Sequence, residues 1–134
     1  MVGAFTEAGR LLGLAFQAVD DLLGIWGDPR STGKPAGSDL RSRKRTLPVV
    51  MTLTGDTAAA RHLAGLLGEP GEMTEERTRR AAAVIEEAGG RSRTLAEGRR
   101  CLALARETLL DVPLRPRTWR ELTAVSDYLV GRTR

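Results

Sequence analysis

The chain has 134 residues, a formal net charge of +4, 41% hydrophobic residues and 4% aromatic residues, enough to build one hydrophobic core and too apolar for a disordered segment. Its longest uncharged run covers only ten residues, 46–55, whereas a membrane-spanning helix needs roughly twenty. Charges at Glu7, Arg10, Asp20 and Asp21 interrupt the apolar N-terminal stretch as a secretion signal does not allow, so a cytoplasmic location and no membrane span are expected.

Ala, Leu, Arg and Glu are conspicuous, a helix-forming vocabulary. The first helix is predicted over residues 3–26, where Leu11, Leu12, Leu14, Ala15, Phe16, Val19, Leu22, Leu23, Ile25 and Trp26 cover more than one face, as in a buried bundle helix. Gly27, Asp28 and Pro29 end it, and Gly33, Pro35 and Gly37 mark a loop up to Ser38. A second helix is expected over 39–53, with Pro48 bending it or delaying its start. Asp56 is placed to cap a third, ending near Leu67, and Thr74 a fourth that stops at Gly89 and Gly90. Residues 91–110 make a fifth. After "DVPLRPR", residues 118–130 make a last helix with Trp119, Leu122, Val125 and Leu129 inward. No alternation, hairpin signal or repeat appears, so the fold class is all-α, a single helical domain of about six helices.

Cys101 has no cysteine partner and no histidine at metal-ligand spacing, and reads as a small helix residue. His62 has no acidic or nucleophilic neighbour in a motif and reads as structural or exposed.

The positive charge is not spread evenly. Residues 1–26 carry −2, residues 27–46 carry +4, and the remainder +2. A nucleic-acid surface is usually broader and interleaved with aromatics; Trp26 and Trp119 are not placed that way, and no nucleic-acid partner is expected. Of the 21 basic residues only Lys34 and Lys44 are lysine, and both fall in the basic window. An ammonium is a compact donor to phosphate oxygens, unlike the planar fork of arginine.

In the first helix Gln17, Asp20 and Gly24 lie at i, i+3 and i+7 and share a face, with Asp21 about 100° around from Asp20. Carboxylates followed by a glycine-rich loop and two lysines suit Mg²⁺ shared between protein oxygens, water and a diphosphate. The stretch "GDPRSTGKP" is not a P-loop. It has five residues between Gly27 and Gly33, and Pro35 stands where a metal-binding hydroxyl should follow the lysine.

The ordered stretch "LGLAFQAVDDLLGIWGDPRSTGKPAGSDLRSRKRTLPVV", about a third of the chain, resembles the second aspartate-rich region of the trans-isoprenyl diphosphate synthases, the polyprenyl synthetase family that includes farnesyl and geranylgeranyl diphosphate synthases. The resemblance implies the C-terminal half of an isoprenoid-synthase-type helical bundle, binding an allylic diphosphate through Mg²⁺ for condensation with isopentenyl diphosphate. It also implies residue roles: Asp20 as main metal ligand, Asp21 as a weaker or water-mediated one, Gln17 near substrate, Lys34 and Lys44 gripping the diphosphate and assisting its departure, and Asp39 supporting the ligands.

Two departures qualify it. Gly24 stands where the family's DDxxD motif has its third aspartate, which weakens the expected metal binding. The family's first aspartate-rich motif has no counterpart, and the adjacent acids Glu75, Glu76, Glu86 and Glu87 read as solvated helix faces. The chain is therefore expected to be inactive alone, as a fragment, a natural truncation, or a subunit completed by a second chain or by self-association. Two alternatives stay open: a non-catalytic helical partner subunit derived from such a synthase, and a terpene cyclase segment.

Overall fold

The computed structural model describes residues 2–133. They form eight helices: α1 (Val2–Trp26), α2 (Pro29–Thr32), α3 (Ser38–Arg41), α4 (Leu47–Leu53), α5 (Ala58–Gly68), α6 (Glu75–Glu87), α7 (Gly90–Leu109) and α8 (Pro116–Gly131). No strand occurs among the described residues. The all-α expectation holds, with two extra helices of four residues each.

The chain divides into two compact units. One comprises the residues up to Val19 together with those from Leu95 onward; the other is Asp20–Thr94. The division falls inside α1 and inside α7.

Along α1 the buried apolar positions are Ala8, Leu11, Ala15, Ala18, Leu22 and Ile25, a three-four stripe, together with Val19 beside it. The second apolar face expected of this helix is not covered: Leu14 is 47% exposed and Phe16 52%. In the first unit Ala8 packs with Leu109 and Val112, and Ala4, Leu114, Trp119 and Leu122 close around them. Pro116 opens α8 at a position where its missing N–H costs nothing. Leu129 is buried as expected, but Val125 is 53% exposed, because the buried side of α8 is set by Ser126 and Leu129.

The second unit is built on Ile25, Leu40, Val49, Leu63, Leu66, Ala81, Val84 and Ile85, each contributing about 1 to 3 kcal/mol of apolar burial according to size. Helices α4, α5 and α6 pack pairwise, and α3 rests on α6. Gly90 lets the start of α7 approach α4, since a Cβ there would lie 2.7 Å from Ile85 Cγ2 and 2.8 Å from Thr52 Oγ1.

The expected helix over 39–53 is broken into α3 and α4. Residue 46 is extended, and Pro48 sits in the first turn of α4, so it delays the helix rather than bending it. Thr57, not Asp56, caps α5: its hydroxyl accepts from Ala60 N at 3.0 Å. Asp56 instead pairs with Arg61 at 2.9 Å in solvent. Thr74 caps α6 as expected, accepting from Arg77 N at 3.1 Å.

Candidate functional site

The site is assembled around the C-terminal end of α1. Asp20 is exposed and Asp21 buried, as their separation of about 100° around the helix requires. Asp21 Oδ2 accepts the Leu47 N–H at 2.9 Å. Leu47 is the first residue of α4, and Thr46, at the N-cap, makes no side-chain cap. The carboxylate of Asp21 thus satisfies an end of α4 that its own sequence leaves open, with a negative charge where the helix dipole favours one. Thr46 is 2% exposed, and its hydroxyl has no partner among the described residues.

Beyond α1, Asp28 Oδ1 caps α2 by accepting from Arg30 N at 2.9 Å. This backbone bond, reinforced by the Arg30 side chain, holds the Asp28 carboxyl below its usual range. Gly33 closes α2 at φ 71° with its N–H on Pro29 O, and Lys34 follows, its N–H donating to Thr32 Oγ1 at 3.2 Å. Gly37 takes φ 77° immediately before α3. It also passes close to α6, where a Cβ would meet Thr78 Cγ2 at 2.7 Å. Both glycines are needed for their backbone conformation.

After α3 the chain makes a Schellman turn. Arg43 N–H donates to Leu40 O at 3.0 Å, and Lys44 N–H to Asp39 O at 2.9 Å, the bond pattern that normally carries glycine at the left-handed position. Here that position is Arg43, at φ 54°. Its guanidinium offsets the strain by donating to Leu67 O at 3.0 Å, Glu69 O at 3.1 Å and Gly71 O at 2.6 Å. Arg77 clamps the same connection through Leu66 O at 2.6 Å and Glu69 O. Arg43 thereby anchors the turn that presents Lys44. Sequence reading grouped Arg43 with a basic run, because neither the left-handed φ nor its distant carbonyl acceptors show in one dimension.

Asp39 lies half-buried on α3, and its carboxylate rests against Gly24: a Cβ built on Gly24 would overlap Asp39 Oδ2 and Cγ. The structure therefore brings Asp39 to α1 and Asp21 to the start of α4, and ties the Lys44 backbone to Asp39. Gln17 is exposed on α1 in the first unit, and no contact joins Lys34 to the carboxylates among the described residues.

Side-chain commitments separate these residues from their surroundings. Arg30 pairs with Asp28 at 3.2 Å, Arg41 donates to Ala36 O at 2.7 Å, and Arg43 is spent on carbonyls. By contrast, the side chains of Asp20, Asp39, Lys34 and Lys44 take part in no ion pair among the described residues. Glu75 and Glu76 pair with Arg79 and Arg80, and Glu86 with Arg91, all on exposed faces.

No three His, Cys, Asp or Glu side chains among the described residues are grouped so as to hold a cation. The donor chemistry nevertheless fits Mg²⁺ in its usual manner, through one or two carboxylates with water and phosphate oxygens completing the shell. Asp20 is an open carboxylate, and the cradle at Gly24, which a Cβ would fill, holds a second one from Asp39.

The helices and their order are those of the isoprenoid-synthase class of all-helical proteins: over 95% of its length the chain superposes on a crystal structure of polyprenyl synthetase from Streptomyces coelicolor A3(2), with a TM-score of 0.88 and 45% identity. The family model described as polyprenyl synthetase matches residues 1–85, and the chain belongs to that family. It is also similar to a geranylgeranyl diphosphate synthase of Mycobacterium tuberculosis, 53% identical over 89 residues, 66% of this chain. A geranylgeranyl pyrophosphate synthase of Corynebacterium glutamicum, crystallised with isoprenyl diphosphate and magnesium, matches 98% of the chain at 28% identity with a TM-score of 0.83. The chain spans 25% of the length of the M. tuberculosis relative, 39% of the Streptomyces structure and 37% of the Corynebacterium one. No helix among the described residues is long and apolar enough to cross a membrane.

Proposed function

We propose that this chain is the part of a prenyl diphosphate synthase that holds the diphosphate of an allylic substrate, and that its two units belong to one larger helical domain completed by further chain or by a second subunit. The observation that carries this reading is the state of the charges. In a chain whose arginines are largely committed, Lys34 and Lys44 take part in no ion pair among the described residues, and the Lys44 turn is tied to the carboxylate-bearing end of α1 through Asp39 and Leu47. That the Corynebacterium relative was crystallised with isoprenyl diphosphate and magnesium supports a diphosphate and a divalent cation as the ligand classes.

In this reading Asp20 is the main metal ligand. Asp21 secures the start of α4 through the Leu47 N–H and would serve the metal only as a weaker or water-mediated partner, and Gln17 would lie beside the substrate one turn earlier on α1. Magnesium, when bound, supplies positive charge that lowers the cost of diphosphate departure. Breaking the allylic C–O bond sends the electron pair to the diphosphate oxygen. Lys34 and Lys44 donate to the oxygens where that charge accumulates, and their effect is larger in the transition state than before it. Attack on the allylic cation by the double bond of isopentenyl diphosphate, and the proton loss that follows, require walls that this chain alone does not supply. The purified chain, confirmed intact by mass, is expected to show no prenyl transfer with Mg²⁺, isopentenyl diphosphate and allylic diphosphates. Turnover at an ordinary enzyme rate, about 1 s⁻¹ or more, overturns the reading of an incomplete site.

A second reading, a non-catalytic partner subunit of the same descent, is favoured by the exposed Leu14 and Phe16 on α1. Such apolar side chains suit a helix that docks on another. Binding of a diphosphate separates the two readings, since the partner role does not require it.

A further inference from the structure

We infer that Arg43 is a positioning residue of the diphosphate site: its side chain holds the turn that sets Lys44, and makes that turn depend on the carbonyl end of α5. The inference rests on the diphosphate-site reading above and deepens it by naming what keeps one of the two lysines in place.

The turn leaves little choice of backbone. Lys44 N–H donates to Asp39 O and Arg43 N–H to Leu40 O, so residue 43 must stay left-handed for both bonds to persist. Glycine would do so through its own freedom, whereas a residue with a side chain returns to the ordinary backbone regions unless something holds it. On the other side of the lysine, the Lys44 carbonyl accepts from Thr46 N at 3.1 Å, and Leu47 N–H is held by Asp21. Lys44 is thus fixed from behind by the start of α4 and from in front by the turn at residue 43.

What holds Arg43 lies on another element. Its Nε donates to Leu67 O in the last turn of α5, and its Nη2 to Glu69 O and Gly71 O in the connection that follows. Carbonyls at the end of a helix lack partners within it and favour a cation. The same connection is fixed independently from α6, where Arg77 donates to Leu66 O, Glu69 O and Glu72 O. Both guanidiniums share Glu69 O, so the tether of Arg43 ends on a braced point. With Nε and Nη2 spent on these carbonyls, Arg43 acts on a diphosphate through Lys44.

Three variants separate positioning from charge by calorimetric titration of inorganic pyrophosphate with and without Mg²⁺, at a temperature well below each melting midpoint. Arg43→Ala and Arg43→Gly remove the same charge, but glycine keeps the left-handed turn without a tether. Arg43→Lys keeps the charge and loses the fork. The alanine and lysine variants are expected to lose at least about fivefold in Mg²⁺-dependent affinity, approaching the loss in Lys44→Ala, and the glycine variant to stay within about twofold of the parent. In a Lys44→Ala background the difference between alanine and glycine at position 43 is expected to vanish. Equal losses for alanine and glycine, parental affinity in Arg43→Ala, or a difference between the two that persists without Lys44, overturns the inference while the site reading stands. If Arg43→Ala does not fold, Arg43→Lys against Arg43→Gly decides by the same criterion. A parent chain without Mg²⁺-dependent pyrophosphate binding, or unchanged binding by Lys44→Ala, overturns the site reading, and the inference with it.

Discussion

The buried carboxylate of Asp21 accepts the backbone N–H of Leu47 at 2.9 Å, and this one bond connects the acidic end of α1 to the start of the helix that follows Lys44. The adjacent aspartates consequently do different work: Asp20 faces solvent, whereas Asp21 organises the chain. Asp21→Ala removes the carboxylate that accepts the Leu47 N–H at the start of α4 and leaves a sequestered donor, at a cost of about 1 to 3 kcal/mol. Urea denaturation should show that loss with an unchanged slope. Asp20→Ala should leave the midpoint within about 0.5 kcal/mol of the parent.

Arg43 holds a left-handed backbone that glycine would adopt without strain. Arg43→Ala keeps the strain and loses the three carbonyl bonds, whereas Arg43→Gly loses the bonds but relieves the strain. The glycine variant is therefore expected to be more stable than the alanine variant by about 1 kcal/mol, measured by thermal or urea unfolding. Equal stabilities would mean that the φ of 54° stores no strain.

Cys101 is 1% exposed. Burial, and secondarily the nearby Glu97 carboxylate, push its thiol above the ordinary range. The folded chain favours the neutral thiol, so this contribution to stability is complete below the unfolded thiol's pKa and is lost as pH rises through that value and then the folded one. A thiol reagent at pH 8 should react with the native chain at least about tenfold more slowly than with the urea-unfolded chain. Comparable rates would contradict the packing of α7.

Five helices, α1, α5, α6, α7 and α8, were legible in the sequence from their apolar spacing and end signals, as at Thr74 and at Gly89. The acids, the glycine loop and the two lysines were equally legible as a pattern. What the sequence could not show were relationships across the fold: the bond from Leu47 to Asp21, the Arg43 anchor on α5, and the Asp39 carboxylate against Gly24. Each joins residues 15 or more positions apart, so no local propensity encodes it. The helix expected over 39–53 failed for a related reason. Its hydrophobic pattern is continuous, but the Schellman turn at Arg43 and the N-terminal preference of Pro48 outweigh that pattern. Asp56 lost the capping position to Thr57 because either side chain can cap and only the backbone course chooses between them.

The central claim, that this chain grips a diphosphate through Mg²⁺ and its two lysines, is tested most directly by titrating inorganic pyrophosphate into the purified chain with and without Mg²⁺, alongside Lys34→Ala and Lys44→Ala. The account predicts binding that requires Mg²⁺ and that weakens at least about tenfold in each variant, the loss expected for a charge-assisted phosphate contact. Binding that ignores Mg²⁺, or that survives both lysine substitutions unchanged, would contradict it.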